Sequence, residues 1–257
     1  MRSFDDLYAI AVERKGSKEA VEANLPKAKT KAELASLPDS RWLAEMARAI
    51  FQAGFSWKVI EAKWPGFEAA FEGFDPTRVA MYGDDELARL LADKGIVRNG
   101  PKIAAVIENA VFLTDLAREK GAAAKVFAEW PDDDYIGFLD FLKKRGSRLG
   151  GNTGQRVCRA VGKPSFIFSP DVVARLIAEG IIDKEPSSKR ELAAVQAAFN
   201  EWSAQSGRSL SAVSRLLAMT ERSGRRYSRR PVRRREWLDD ARNCCRGLRR
   251  KLCFLDR

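Results

Sequence analysis

Three glycines in five residues, Gly150, Gly151 and Gly154, separate two helical patterns and constrain the middle of this chain more than any other stretch. Upstream, from Tyr135 to Lys144, the spacing of Phe138, Leu139, Phe141 and Leu142 puts them on one helix face. Downstream, from about Asn152 to Val161, Val157, Ala160 and Val161 do the same. Glycine belongs where φ is positive or where another molecule must approach bare backbone, and the turn Leu149-Gly150-Gly151-Asn152-Thr153-Gly154 predicts both. A helix start carries N–H groups without intrahelical partners, so a tight turn that opens a helix aims donors outward and suits a phosphate.

Helical patterning continues on both sides. Ser3 with Asp5 and Asp6 opens a first helix, whose stripe Leu7, Ile10 and Ala11 ends near Gly16. A short helix to about Asn24, a linker from Leu25 to Lys31 and a helical turn over Ala32 to Leu37 follow. Pro38-Asp39-Ser40 then opens a helix carrying Trp42, Leu43, Met46, Ala47 and Ile50. Ser56 is placed to cap the next helix, which Trp64-Pro65-Gly66 is expected to break. Phe67, Phe71 and Phe74 recur at helical spacing and read as core. Asp75-Pro76 and Gly83-Asp84 start two short helices, and Asn99 or Gly100 starts a long one to Lys120. Ser169-Pro170, the capping box Ser188 to Glu191, and Ser209 open three more. No strand alternation appears, so the expected class is all-α, as one large domain or two lobes sharing a core.

The net charge of +11 invites a nucleic-acid argument, but its location weakens it: residues 221–257 hold 14 Lys and Arg against 5 Asp and Glu, which leaves only +2 for residues 1–220. That tail uses 13 Arg to 1 Lys and holds Cys244, Cys245 and Cys253. It lacks a sustained apolar period and is expected to be disordered, either a basic arm that adds sequence-independent DNA affinity or an extension foreign to the fold. The expected organisation is residues 1–38 as an N-terminal helical extension, 39–220 as the main domain and 221–257 as the tail. No apolar run reaches the roughly 20 residues that span a bilayer, and MRSFDDLYAI is too polar for a signal peptide. A cytoplasmic, reduced, monomeric protein without a disulfide framework is expected.

The central turn resembles the helix-hairpin-helix of the DNA glycosylase superfamily. More narrowly, Lys143-Lys144-Arg145-Gly146 with Leu149-Gly150 and Thr153 resembles the DNA-3-methyladenine glycosylase I family. So do Gln52-Ala53-Gly54-Phe55-Ser56-Trp57, Phe67 to Phe71 with Phe74-Asp75-Pro76 and Val79-Ala80, Gly95-Ile96-Val97-Arg98, Lys102-Ile103 and Asn109-Ala110. These matches run in order over roughly residues 40 to 175. The resemblance implies a helix-hairpin-helix bundle that acts on double-stranded DNA, everts an alkylated purine such as 3-methyladenine and hydrolyses its N-glycosidic bond. It also implies roles: Trp57 stacking on the base, Phe55 and Gln52 wedging into the DNA, Gly150, Gly151, Asn152, Thr153 and Gly154 holding a phosphate, and Lys143, Lys144 and Arg145 on the backbone.

The chain departs from the family's pattern at three points. The family's pocket glutamate lies eight residues before the tryptophan, where this chain has Ala49, with Arg48 beside it. The aspartate that follows the hairpin in related glycosylases falls at Ser169 here, with Asp171 near it. The family's zinc needs histidine, and this chain has none, so neither metal nor cofactor is expected. Cys158, mid-helix, reads as a small buried residue rather than a ligand. Glu45, Asp134 and Asp171 remain as candidate carboxylates. The alternative to excision is a non-catalytic protein of the same fold that recognises alkylated or distorted DNA.

Overall fold

A computed structural model describes residues 1–221. Among these, fourteen α-helices and two short 3-10 turns are present and no strand. The expectations of disorder and of a basic arm concern residues 221–257, which apart from Glu221 lie outside the described residues. In order, the helices are α1 (Phe4–Lys15), α2 (Lys18–Glu22), α3 (Lys31–Ala35), α4 (Asp39–Gln52), α5 (Trp57–Ala70), α6 (Pro76–Val79) and α7 (Asp84–Ala92). There follow α8 (Gly100–Lys120), α9 (Ala123–Glu129), α10 (Tyr135–Arg145), α11 (Asn152–Val161), α12 (Pro170–Ala178), α13 (Lys189–Ser206) and α14 (Leu210–Met219). None of the described helices is long and apolar enough to cross a membrane.

Local signals explain most helix starts. Ser3, Thr30 and Ser188 close capping boxes with Asp6, Glu33 and Glu191, and Ser169 and Ser209 accept from the third residue of their helices. Ser56 departs from expectation: it occupies the cap position of α5, but its side chain makes no capping bond. Nor does Pro65 end that helix, which continues to Ala70. The proline removes one backbone donor and costs roughly 3 kcal/mol in a helix interior. Burial on both sides of it offsets this cost: Trp64 stacks on Phe67 and Phe74 and donates to Glu68. Gly66 lets the carbonyl of Gly95 come so close that a Cβ would sit 2.5 Å from its oxygen.

α4 is the central element, packed on α5, α8, α9 and α11. Its buried face carries Trp42, Leu43, Met46, Ile50 and Phe51, each such side chain contributing about 1.5–3 kcal/mol through burial. α9, absent from the sequence reading, lacks a capping side chain of its own. Asp39 of α4 instead accepts from the N–H groups of Ala123 and Ala124 at 3.1 and 2.7 Å. The first residues are bound into the same body: Arg2 pairs with Glu179 at 2.8 Å, its carbonyl accepts from Trp202, and α1 packs on α13 and α14.

Candidate functional site

The turn between α10 and α11 is built from backbone. Gly151 has φ 58° and ψ −137°, a conformation that side-chain-bearing residues avoid, and open space surrounds the position a Cβ would take. Gly154 is the reverse case, since a Cβ there would lie 2.6 Å from the carbonyl oxygen of Leu149. α11 starts without a side-chain cap. Asn109 of α8 is fully buried and braces the turn, accepting from the N–H of Ser147 at 2.8 Å and donating to its carbonyl at 3.0 Å. Of the three basic residues expected here, Lys144 pairs with Asp140 and Arg145 with Glu119, while Lys143 lies along Gly150.

One turn further along α11, a cleft of about 330 Å³ opens between that helix and the α4–α5 junction. Trp57 is 51% exposed at its edge, and Glu45, Ala49 and Gln52 of α4 line it, as do Ala160 and Ile167. Three arginines also contribute. Arg156 lies over the Trp57 ring, its guanidinium carbon 4.4 Å from the centroid. Arg159 is held by the carbonyl of Ser165 at 2.9 Å. Arg48 lies 4.0 Å over the Trp64 ring and donates to Glu61 at 2.7 Å, and Gln52 donates to the same carboxylate at 3.0 Å.

The candidate carboxylates are now separated. Glu45 borders the cleft but is buried and paired, 2.8 Å from Arg41 and 3.7 Å from Arg48. Asp134 caps α10, accepting from the N–H of Gly137 and from the indole of Trp130. Asp171 lies in the first turn of α12, where Ser169 supplies the cap, and does not line the cleft. Cys158 is fully buried, which pushes its thiol up to about 12, so it carries no thiolate at neutral pH.

Lys102 was read only as part of a motif, and its structural task was missed. Its buried ammonium donates to the carbonyls of Ile50, Phe51 and Ala53, closing the end of α4, and lies 4.6 Å from the ring centroid of Phe55. Burial, then Arg148, pulls it down to about 8. Phe55 itself is 37% exposed, beside Gly54 at φ 83°.

Part of the chain is similar to known sequences. Residues 37–136 match the methyladenine glycosylase family. The matched segment contains α4, α5 and the Gln52-to-Trp57 connection but ends as α10 begins, so the glycine turn and α11 lie beyond it. DNA-3-methyladenine glycosylase 1 of Escherichia coli (strain K12) is 42% identical over 59 residues, 23% of this chain and 32% of that protein, so the alignment spans about a third of the curated relative. Among solved structures, one of 3-methyladenine DNA glycosylase I is 24% identical over 55% of this chain and 84% of its own, with a TM-score of 0.43. The Staphylococcus aureus enzyme is 23% identical over 54% and 79%, with a TM-score of 0.42.

The arginines are what sequence reasoning missed. Arg156 and Arg159 stand three apart, one turn after the glycines, which marks a shared helix face. Nothing in the sequence indicated that this face meets Trp57.

Proposed function

We propose that the chain binds double-stranded DNA as a monomer and excises alkylated purines, taking the everted base into the Trp57 cleft. The observation that carries this reading is the layout of α11. Its glycine start and its cleft-lining Arg156 stand on one rigid rod, separated by about 6 Å along the axis. A phosphate held at Gly151 to Gly154 and a base held at Trp57 would then belong to adjoining parts of one strand. In this scheme Phe55 and Gln52 fill the gap in the duplex, Lys143 steadies the phosphate, and Trp57 stacks on the base. Residues 1–38 act as a brace for the main domain, through α1 on α13 and α14.

The test is to incubate the full chain with duplexes carrying alkylated purines, both methylated bases and ethenoadenine, and to score abasic sites as alkali-labile breaks. Breaks that grow with protein and time are expected. A second reading, binding without excision, is favoured by one observation: Ala49 stands where the family has its pocket glutamate, and Glu45 is already paired with two arginines. Tight, lesion-preferring binding with no breaks on any duplex would select that reading.

A further inference from the structure

Arg159 and Arg215 differ from other arginines of the fold in what they lack. Arg41, Arg48, Arg175 and Arg208 each pair with a carboxylate, whereas neither Arg159 nor Arg215 pairs with one among the described residues. Arg159 is half-buried where it lines the cleft, and Ser165 holds it, through its hydroxyl at 3.3 Å and its carbonyl at 2.9 Å. Arg215 is exposed on α14, four residues after Ser211, which accepts from the N–H of Ser165 at 3.0 Å, and one after Ser214, which accepts from that of Ile167 at 3.2 Å. Residues four apart on a helix share a face, so α14 presents Arg215 beside the same residues 165–167 that fix Arg159. Burial lowers the pKa of Arg159 and Arg215 adds to that shift, with Tyr135 and Cys158 opposing. Two like charges brought together without a protein carboxylate cost free energy, and an anion between them would reverse the sign.

Resting on the reading of the Trp57 cleft as a base pocket, we propose that Arg159 and Arg215 together hold a phosphodiester of the bound strand, one adjoining the nucleotide whose base enters the cleft. Arg159 lines the cleft, so a phosphate it holds lies beside that base. The planar fork of a guanidinium matches phosphate oxygens, and two such forks fix one phosphate from two elements, α11 and α14. This contact is separate from the glycine turn, since Arg159 follows Gly154 by five residues, about 7.5 Å along α11.

The test measures equilibrium binding of the full chain, by fluorescence anisotropy, to duplexes with adenine or the stable methylated base 3-deaza-3-methyladenine at one position. Each is made with ordinary linkages or with a neutral methylphosphonate on the 5′ or 3′ side of that position. Arg215→Gln is expected to weaken binding of the methylated duplex about tenfold and to make log K shallower against log salt by about 0.9. Methylphosphonate at the held linkage should cost the parent the same tenfold and Arg215→Gln almost nothing, because the contact is already lost there. Arg159→Gln should behave alike, but it also releases Ser165, so the exposed Arg215 is the deciding position. Equal affinities of parent and Arg215→Gln, or a methylphosphonate effect of the same size in both, would overturn the phosphate site; a preference for the methylated duplex that Trp57→Ala abolishes would then leave the base pocket standing. Inorganic phosphate that binds the parent but not Arg215→Gln, with duplex affinity unmoved, would overturn it in favour of a site for free phosphate. A parent that binds neither duplex would overturn both readings.

Discussion

The glycine turn and the Trp57 cleft share α11 but are constructed differently. The turn is largely local: within Gly146 to Gly154 glycine backbone geometry and the buried Leu149 supply much of the constraint, and Asn109 braces it from α8. The cleft is assembled from side chains of α4, α5 and α11, about a hundred residues apart in sequence, and its arginines are held by partners outside it: Glu61 and the Trp64 ring for Arg48, Ser165 for Arg159. A backbone device tolerates few substitutions and, if it holds a phosphate as proposed, would discriminate little between bases, because phosphates carry no base identity. A side-chain device can change residues with small structural cost and a large change in what it accepts.

Substitutions can break this comparison, and the largest expected effect is at Gly154. Replacing it with valine drives a Cβ into the Leu149 carbonyl, and urea denaturation should show a loss of about 3 kcal/mol. A variant as stable as the parent would mean the turn yields, and the contrast with the cleft would fail. Next is Asn109→Ala, which leaves the Ser147 backbone groups without their buried partner and should cost about 2 kcal/mol. Its affinity for plain and alkylated duplex should fall together; a change confined to alkylated DNA would tie the brace to the cleft instead.

At the end of α4, Lys102 gives a pH signature. Its folded value of about 8 lies below the ordinary 10.5. Between those values the unfolded chain binds more protons, so stability from this group rises with pH across that window and is lowest below it. Relative to Lys102→Met, the parent should gain on the order of 1–2 kcal/mol from pH 8 to 10.5. Parallel stability curves for the two proteins would refute this. The smallest effect on stability is expected from Trp57→Ala, within about 0.5 kcal/mol because half the residue is exposed. Its binding phenotype should be the opposite: loss of roughly 1–3 kcal/mol of preference for alkylated over plain duplex. Should the variant unfold, Trp57 is a packing residue and the cleft assignment falls.

The helices that were legible share a property, that their start signals lie within three residues of the helix they open. Ser3, Ser169, Ser188 and Ser209 all cap as their spacing predicts. α9 was not legible, because its cap is Asp39, 84 residues upstream, and α5 was read as broken because the packing that carries it across Pro65 comes from Phe74 and Gly95. In the candidate site, Gln52, Trp57 and the glycines were identified from their motifs. Glu45, Asp134 and Asp171 could not be ranked, since a carboxylate that caps a helix and one that borders a cleft look alike in one dimension.

By itself, then, the sequence determined the all-α class, most helix boundaries and the glycine turn, because periodicity and capping are short-range effects written in neighbouring residues. The tertiary structure alone decided that Arg156 lies over Trp57, that Glu45 is neutralised by two arginines and that Asp39 serves a distant helix. Those are through-space pairings of charge and ring, set by how α4 packs on α11 and α9, and charge acts through distance in space rather than distance along the chain.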